Sequence, residues 1–180
     1  MTRGDIDNAV GLHFASAECR GSEGGIMNIM SGFKSSLYEE DFSRWAEENA
    51  ALLRSGNVGD ADLDHIAEEL EDMGKSQRRE LDSRVRIVLM HLLKLEFSTV
   101  RSPRSVRSWE ATLRTQRVEM AALLKDNPSL NPKVDDAIAE TYGDARDLAA
   151  GETGLSVTAF PAACPYNADQ VKSRDFLPKR

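Results

Sequence analysis

The densest set of groups able to do chemistry is His65-x-x-Glu68-Glu69-x-x-Asp72. On a helix, positions i, i+3, i+4 and i+7 stand on adjoining turns, and imidazole with carboxylates is a donor set that suits a divalent cation. Di-iron bundles use a Glu-x-x-His spacing with acidic partners from other helices, and here the order is reversed. Covered by another chain, this face would form a metal site from His65, Glu69, Asp72 and His91. Geometry favours a plainer reading. With Leu63, Ile66, Leu70 and Met73 turned to the core, His65, Glu68 and Asp72 point about 120–180° away and Glu69 sits at the boundary. A lone histidine such as His91 in an apolar helix is more often a hydrogen-bonded core residue than a ligand or base. The expectation is a solvated acidic face and no cofactor, with a bound divalent metal as the alternative.

A second candidate surrounds Pro103, where Arg101, Arg104, Ser105 and Arg107 open a helix, with Lys94, Arg114 and Arg117 nearby. Backbone amides at a helix start, a hydroxyl and guanidinium groups can hold phosphate. Binding to single-stranded nucleic acid also calls for exposed aromatic rings, and Trp109, the only nearby one, falls on the inward stripe. A basic turn paired with acidic residues elsewhere is therefore the first reading, and nucleic acid ranks third among functions. Neither Ser76 nor Cys164 stands in a nucleophile motif, and no Gly-rich phosphate loop or dinucleotide fingerprint occurs.

These residues sit in a chain of 180 with a net charge of −7, a balance that disfavours non-specific binding to nucleic acid or anionic membrane. The charge is uneven. From Glu39 to Asp72 twelve acidic residues face only Arg44 and Arg54, and from Lys75 to Arg117 eleven basic residues face Glu80, Asp82, Glu96 and Glu110. Pairing of the acidic stretch with the basic one, through Arg78, Arg79, Arg84 or Arg86, is the expected use of that asymmetry. Cys19 and Cys164 are too few and too far apart for a disulfide framework or a thiolate metal site. With no secretory signal and no membrane-spanning run, the expected location is the cytoplasm and no membrane partner is expected.

The elements that would position the candidates are helical. Residues 1–36, rich in Gly and Ser, read as a disordered extension, with Met27 or Met30 as an alternative start. Tyr38, Phe42, Trp45, Asn49 and Leu52 predict a helix over about 37–54, ended by Gly56. The next starts near Asp60 or Asp62, and Gly74 marks a bend, a break or a close neighbour. Gln77, Leu81, Val85, Val88, Leu92 and Leu95 then resume the stripe in a central run apolar beyond one face, which suggests cover by several helices or a second copy. After Pro103 a helix from about Ser105 carries Trp109, Leu113, Gln116, Met120 and Leu123. Another, with Pro132 in its first turn, carries Val134, Ile138, Tyr142, Ala145 and Leu148. The tail reads as an irregular strap anchored by Phe160, Tyr166, Phe176 and Leu177, with a short helix around Ala168–Lys172.

Leu37-Tyr38…Asp41-Phe42…Trp45, Ala51–Gly56, His65–Ser76, Leu89–Lys94, Ser108-Trp109, Ser129-Leu130, Asp144–Arg146, Phe160-Pro161…Cys164–Tyr166 and Asp175–Pro178 occur in an order and spacing similar to the bacterial domain-of-unknown-function family 29. The resemblance covers about residues 37–178. It implies a compact helical domain of bacterial origin starting close to Met30, and carries no activity with it. The overall expectation is an all-α protein, a mainly antiparallel bundle of four to five helices at 37–178 with a C-terminal strap. A non-catalytic interaction or scaffold module, with a protein partner or a second copy forming a homodimer, is preferred to a metal-dependent enzyme or sensor.

Overall fold

The computed structural model describes residues 37–99 and 101–179; the expectation for residues 1–36 lies outside them. The described residues are helical with no strand, as the 3.6-residue periodicity predicts. Four long helices follow one another: α1 (Phe42–Ser55), α2 (Leu63–Phe97), α3 (Pro103–Asp126) and α4 (Val134–Thr153), with a short α5 (Ala168–Lys172) in the tail. The chain divides into two units at Ala67/Glu68, inside α2.

In the first unit, the Asp41 carboxylate caps α1 by accepting from the Arg44 amide at 3.0 Å. Gly56 ends the helix at φ 80°, a left-handed conformation that a side chain would strain. Trp45 and Asn49 are its buried residues, whereas Phe42, placed on the inward stripe by spacing, is half exposed.

The second unit is a three-helix bundle with a strap. Gln77 meets Asn127, and Arg84 meets Gln116 and Glu119, so α3 runs antiparallel to α2. Arg78 meets Glu140 and Lys94 meets Glu152, so α4 runs parallel to α2 and antiparallel to α3. Leu81, Val85, Val88, Leu89, Leu92 and Leu93 are fully buried against Leu113, Met120, Val134, Ala137, Ala145 and Ala149. The apolar girth of α2 at 88–95 is thus covered within the chain by α3, α4 and Phe160 and Tyr166 of the strap. α2 runs unbroken through Gly74, where a Cβ would meet nothing within 4 Å.

Several expectations are corrected. α3 starts at Pro103, with a Ser102–Ser105 capping box, and Pro132 belongs to the 3₁₀ turn Pro128–Lys133 ahead of α4. Leu148 is exposed and Ala149 takes the inward place, so four residues after Ala145, not three, return to the core. Leu177 is exposed, leaving Phe160, Tyr166 and partly buried Phe176 as the aromatic anchors. Leu63, Leu70 and Met73 do not form a buried stripe. Leu70 and Met73 precede Gln77, the residue of α2 that Asn127 meets just beyond the end of α3, so α3 stops short of them.

Candidate functional site

In the first unit, His65 belongs to an aromatic and carboxylate cluster. Its Nδ1 lies 2.7 Å from Asp62 Oδ2, which also accepts from Trp45 Nε1 at 3.1 Å. Tyr38 stacks on the imidazole at 4.2 Å between centroids, and the Trp45 ring stands edge-on to it. Asn49 Oδ1 accepts from the Asp62 backbone amide at 2.8 Å. Burial resists the charge of Asp62, but hydrogen bonds from His65 and Trp45 outweigh it and hold the carboxyl below its ordinary range. Asp62 also accepts Ile66 N–H through its carbonyl, which makes it the residue that opens α2. An imidazole held through Nδ1 by a carboxylate is the arrangement that orients metal-bound histidines. Of the other members of the candidate metal set, Glu69 is partly buried on α2. Asp72 accepts from Lys75 Nζ at 2.8 Å, and His91 lies in the core of the second unit. Among the described residues no three His, Cys, Asp or Glu side chains gather as a metal would require.

Within the second unit the basic stretch pairs with the acidic one at Lys75, whose ammonium lies 2.8 Å from Asp72 and 3.7 Å from Glu71, and its arginines have nearer partners. Arg78 bonds Asp82 and Glu140, Arg84 bonds Glu80 and Glu119, and Arg86 lies 3.8 Å from Asp144. These arginine partners are one turn away on α2 or on α3 and α4, where helices in register present acids within reach.

Around Pro103, the hydroxyls of Ser102 and Ser105 are taken up by the capping box, and the Ser105 amide donates to Ser102 Oγ at 3.0 Å. Arg101 Nη1 donates to the Leu95 carbonyl at 2.7 Å and Arg107 Nε to the Pro103 carbonyl at 3.2 Å, while Arg104 is exposed. Arg101 and Arg107 line an open cleft of about 680 Å³ with Ser102, Pro103, Val106 and Glu110. The cleft joins two of the predicted arginines. The helix start beside it has already spent its Ser105 amide and hydroxyl on the cap.

Sequence reasoning missed the buried cations. Lys94 is fully buried, its ammonium bonded to Glu152 of α4 and 4.8 Å above the ring of Trp109. Arg117 is 1% exposed. It donates from Nε to the Val171 carbonyl at 3.0 Å, from Nη1 to Phe176 at 2.7 Å and from Nη2 to Gln170 at 2.7 Å. The strap is further held by Tyr142 Oη on the Pro161 carbonyl, Arg146 on Val157, and Tyr166 Oη on Glu96. The only signal available was position: Arg117 follows Gln116 on α3, three residues before Met120.

His91 is buried near Lys94, and its Nδ1 has no hydrogen-bond partner. Burial, then the Lys94 ammonium, lowers its pKa from 6.5 to about 4, with Glu152 opposing. Above pH 6.5 the ring is neutral whether the chain is folded or not. Between 6.5 and 4 the unfolded chain binds a proton that the folded chain refuses, so stability falls as pH falls. We expect a loss of about 2–3 kcal/mol across that window. Urea midpoints of the parent and His91→Leu at stepped pH check this, and an equal slope in both would remove His91 as its source.

Comparison with known proteins found no match among curated proteins and none among solved structures. The model of the family described as Domain of unknown function DUF29 matches residues 37–177. With the ordered motifs of the sequence, the helical architecture they build and a match over most of its length, this chain belongs to the DUF29 family.

Proposed function

We propose that the chain is a non-catalytic protein-interaction module of the bacterial cytoplasm. The observation that carries the reading is the uncovered apolar pair Leu70 and Met73, each 64% exposed on α2. They stand among Glu68, Glu71, Asp72 and Lys75, which are also exposed. Three residues apart, the two side chains share one face of the helix, and it is adjoining apolar side chains left in water, rather than single ones, that mark contact surfaces. Supporting it from the other side, three buried polar groups of the second unit hold structure: Lys94 binds Glu152, Arg117 binds the strap, and Tyr166 binds Glu96. The cytoplasmic part of the reading is supported by Cys164, an unpaired thiol that burial keeps protonated.

The test compares capture from bacterial lysate by the tagged parent chain and by a Leu70→Asp/Met73→Asp variant. A protein, or the untagged chain itself, held by the parent and lost from the variant is the expected result. Both positions are exposed, so the variant should unfold within about 0.5 kcal/mol of the parent. Identical capture by both chains, or none by either, overturns the reading.

A further inference from the structure

We propose that the second unit binds a small amphiphilic organic anion, an apolar body carrying one carboxylate or sulfonate, in a cavity between α3 and α5. The cavity measures about 330 Å³ and is lined by Met120, Ala121, Leu124, Lys125, Asn131 and Lys172. That volume lies at the lower end of the range that holds small molecules, about 300–1,000 Å³. Its chemistry is divided. Met120 and Leu124 are buried core residues that present an apolar floor, and exposed Ala121 leaves room above them.

Two ammonium groups supply the opposite character, and among the described residues no carboxylate lines the cavity. Lys125 makes no ion pair among the described residues. Lys172 has one acidic neighbour, Asp169, at 3.6 Å, and that carboxylate is almost wholly in water, where such a contact is weak. The amide of Asn131 is directed at the Leu124 and Pro128 carbonyls, so the donors left for a ligand are the two lysines. An apolar floor beneath two incompletely neutralised cations suits a ligand that buries hydrocarbon and keeps one negative charge at the rim. A polyanion would find no apolar use for the floor, and a neutral apolar molecule would leave both cations without a counter-charge. Arg117 ties α5 to α3 through the Gln170 and Val171 carbonyls, which fixes Lys172 opposite Lys125.

The experiment titrates the full chain with anilinonaphthalene sulfonate, followed by fluorescence, and then displaces it with octanoate or with neutral octanamide. One dye per chain, displaced by octanoate far better than by octanamide, is the expected outcome. Lys125→Ala/Lys172→Ala should weaken octanoate about tenfold or more, the size of a lost charge-assisted contact. Ala121→Trp should fill the site and abolish binding without entering the core. Near-ultraviolet circular dichroism matching the parent shows that each variant retains its packing, since dye also binds loosened states. Absence of binding, equal displacement by octanamide, or binding unchanged in Ala121→Trp overturns the proposal.

Discussion

Replacing Arg117 with methionine is expected to cost about 3–5 kcal/mol of stability and to free the C-terminal strap. Methionine keeps much of the buried stem, so the loss isolates the guanidinium. Three donors disappear together, from the Val171, Phe176 and Gln170 carbonyls. Two of those carbonyls lie in the last turn of α5, a five-residue helix that cannot satisfy its own end. Burial lowers the Arg117 pKa to about 10, partly opposed by Asp175, so the group stays charged at neutral pH. Lysine is no substitute, because one ammonium cannot reproduce a planar fork aimed at three separate oxygens. At about 2–4 °C per kcal/mol for a chain of this size, the melting point should fall by roughly 10 °C. Trypsin should then cut at Lys172 and Arg174 ahead of the bundle. An unchanged midpoint with an uncut strap would show that Phe160, Tyr166 and Val171 hold the segment without the clamp.

That clamp shows where reading the sequence stops. Apolar spacing located the four long helices because each has a core side, and Trp45, Leu92, Leu113, Met120 and Ile138 lie buried where their period put them. Caps were partly legible: Gly56 terminates α1 as expected, but Pro103 opens α3 earlier than the turn reading placed it. Period identifies a face and is silent about what covers it. Leu70 and Met73 complete a helical stripe as well as Val85 and Val88 do, yet α3 reaches one pair and not the other. Charge misled in the opposite sense. Lys94 and Arg117 looked like surface cations because only the folded chain brings Glu152 and the strap carbonyls to them. Bulk charge did not name individual pairs: Lys75 meets Asp72 as the asymmetry suggests, while Arg78 and Arg84 meet Glu140 and Glu119 on neighbouring helices. His65 was legible as a group able to do chemistry, but its actual partners Asp62, Trp45 and Tyr38 come from three separate places in the chain.

The Lys94–Glu152 pair makes an asymmetric expectation. Lys94 is held in the core with its ammonium on Glu152, which is itself half exposed. Taking an ammonium out of water costs several kcal/mol, and its partner's charge offsets most of that. Glu152→Ala removes the offset while leaving the ion in place, so it should destabilise by about 3 kcal/mol. Trp109 retains its contact with the cation, worth about 1–2 kcal/mol at such a site, and this keeps the loss from being larger. Lys94→Met removes the ion itself and fills the space with an unbranched chain of similar length, so its midpoint should stay within about 1 kcal/mol of the parent. The double variant should match Lys94→Met, since Glu152 has nothing left to neutralise and already faces water. A coupling of about 2 kcal/mol or more between the two sites, read by urea denaturation of all four proteins, is the expected result. Additive losses would mean that Glu152 acts through the packing of α4 and that the buried ammonium finds its compensation elsewhere. His91 supplies an internal check on the same geometry. With Lys94 gone its ring loses the nearest cation, and the fall in stability between pH 6.5 and 4 should shrink in Lys94→Met.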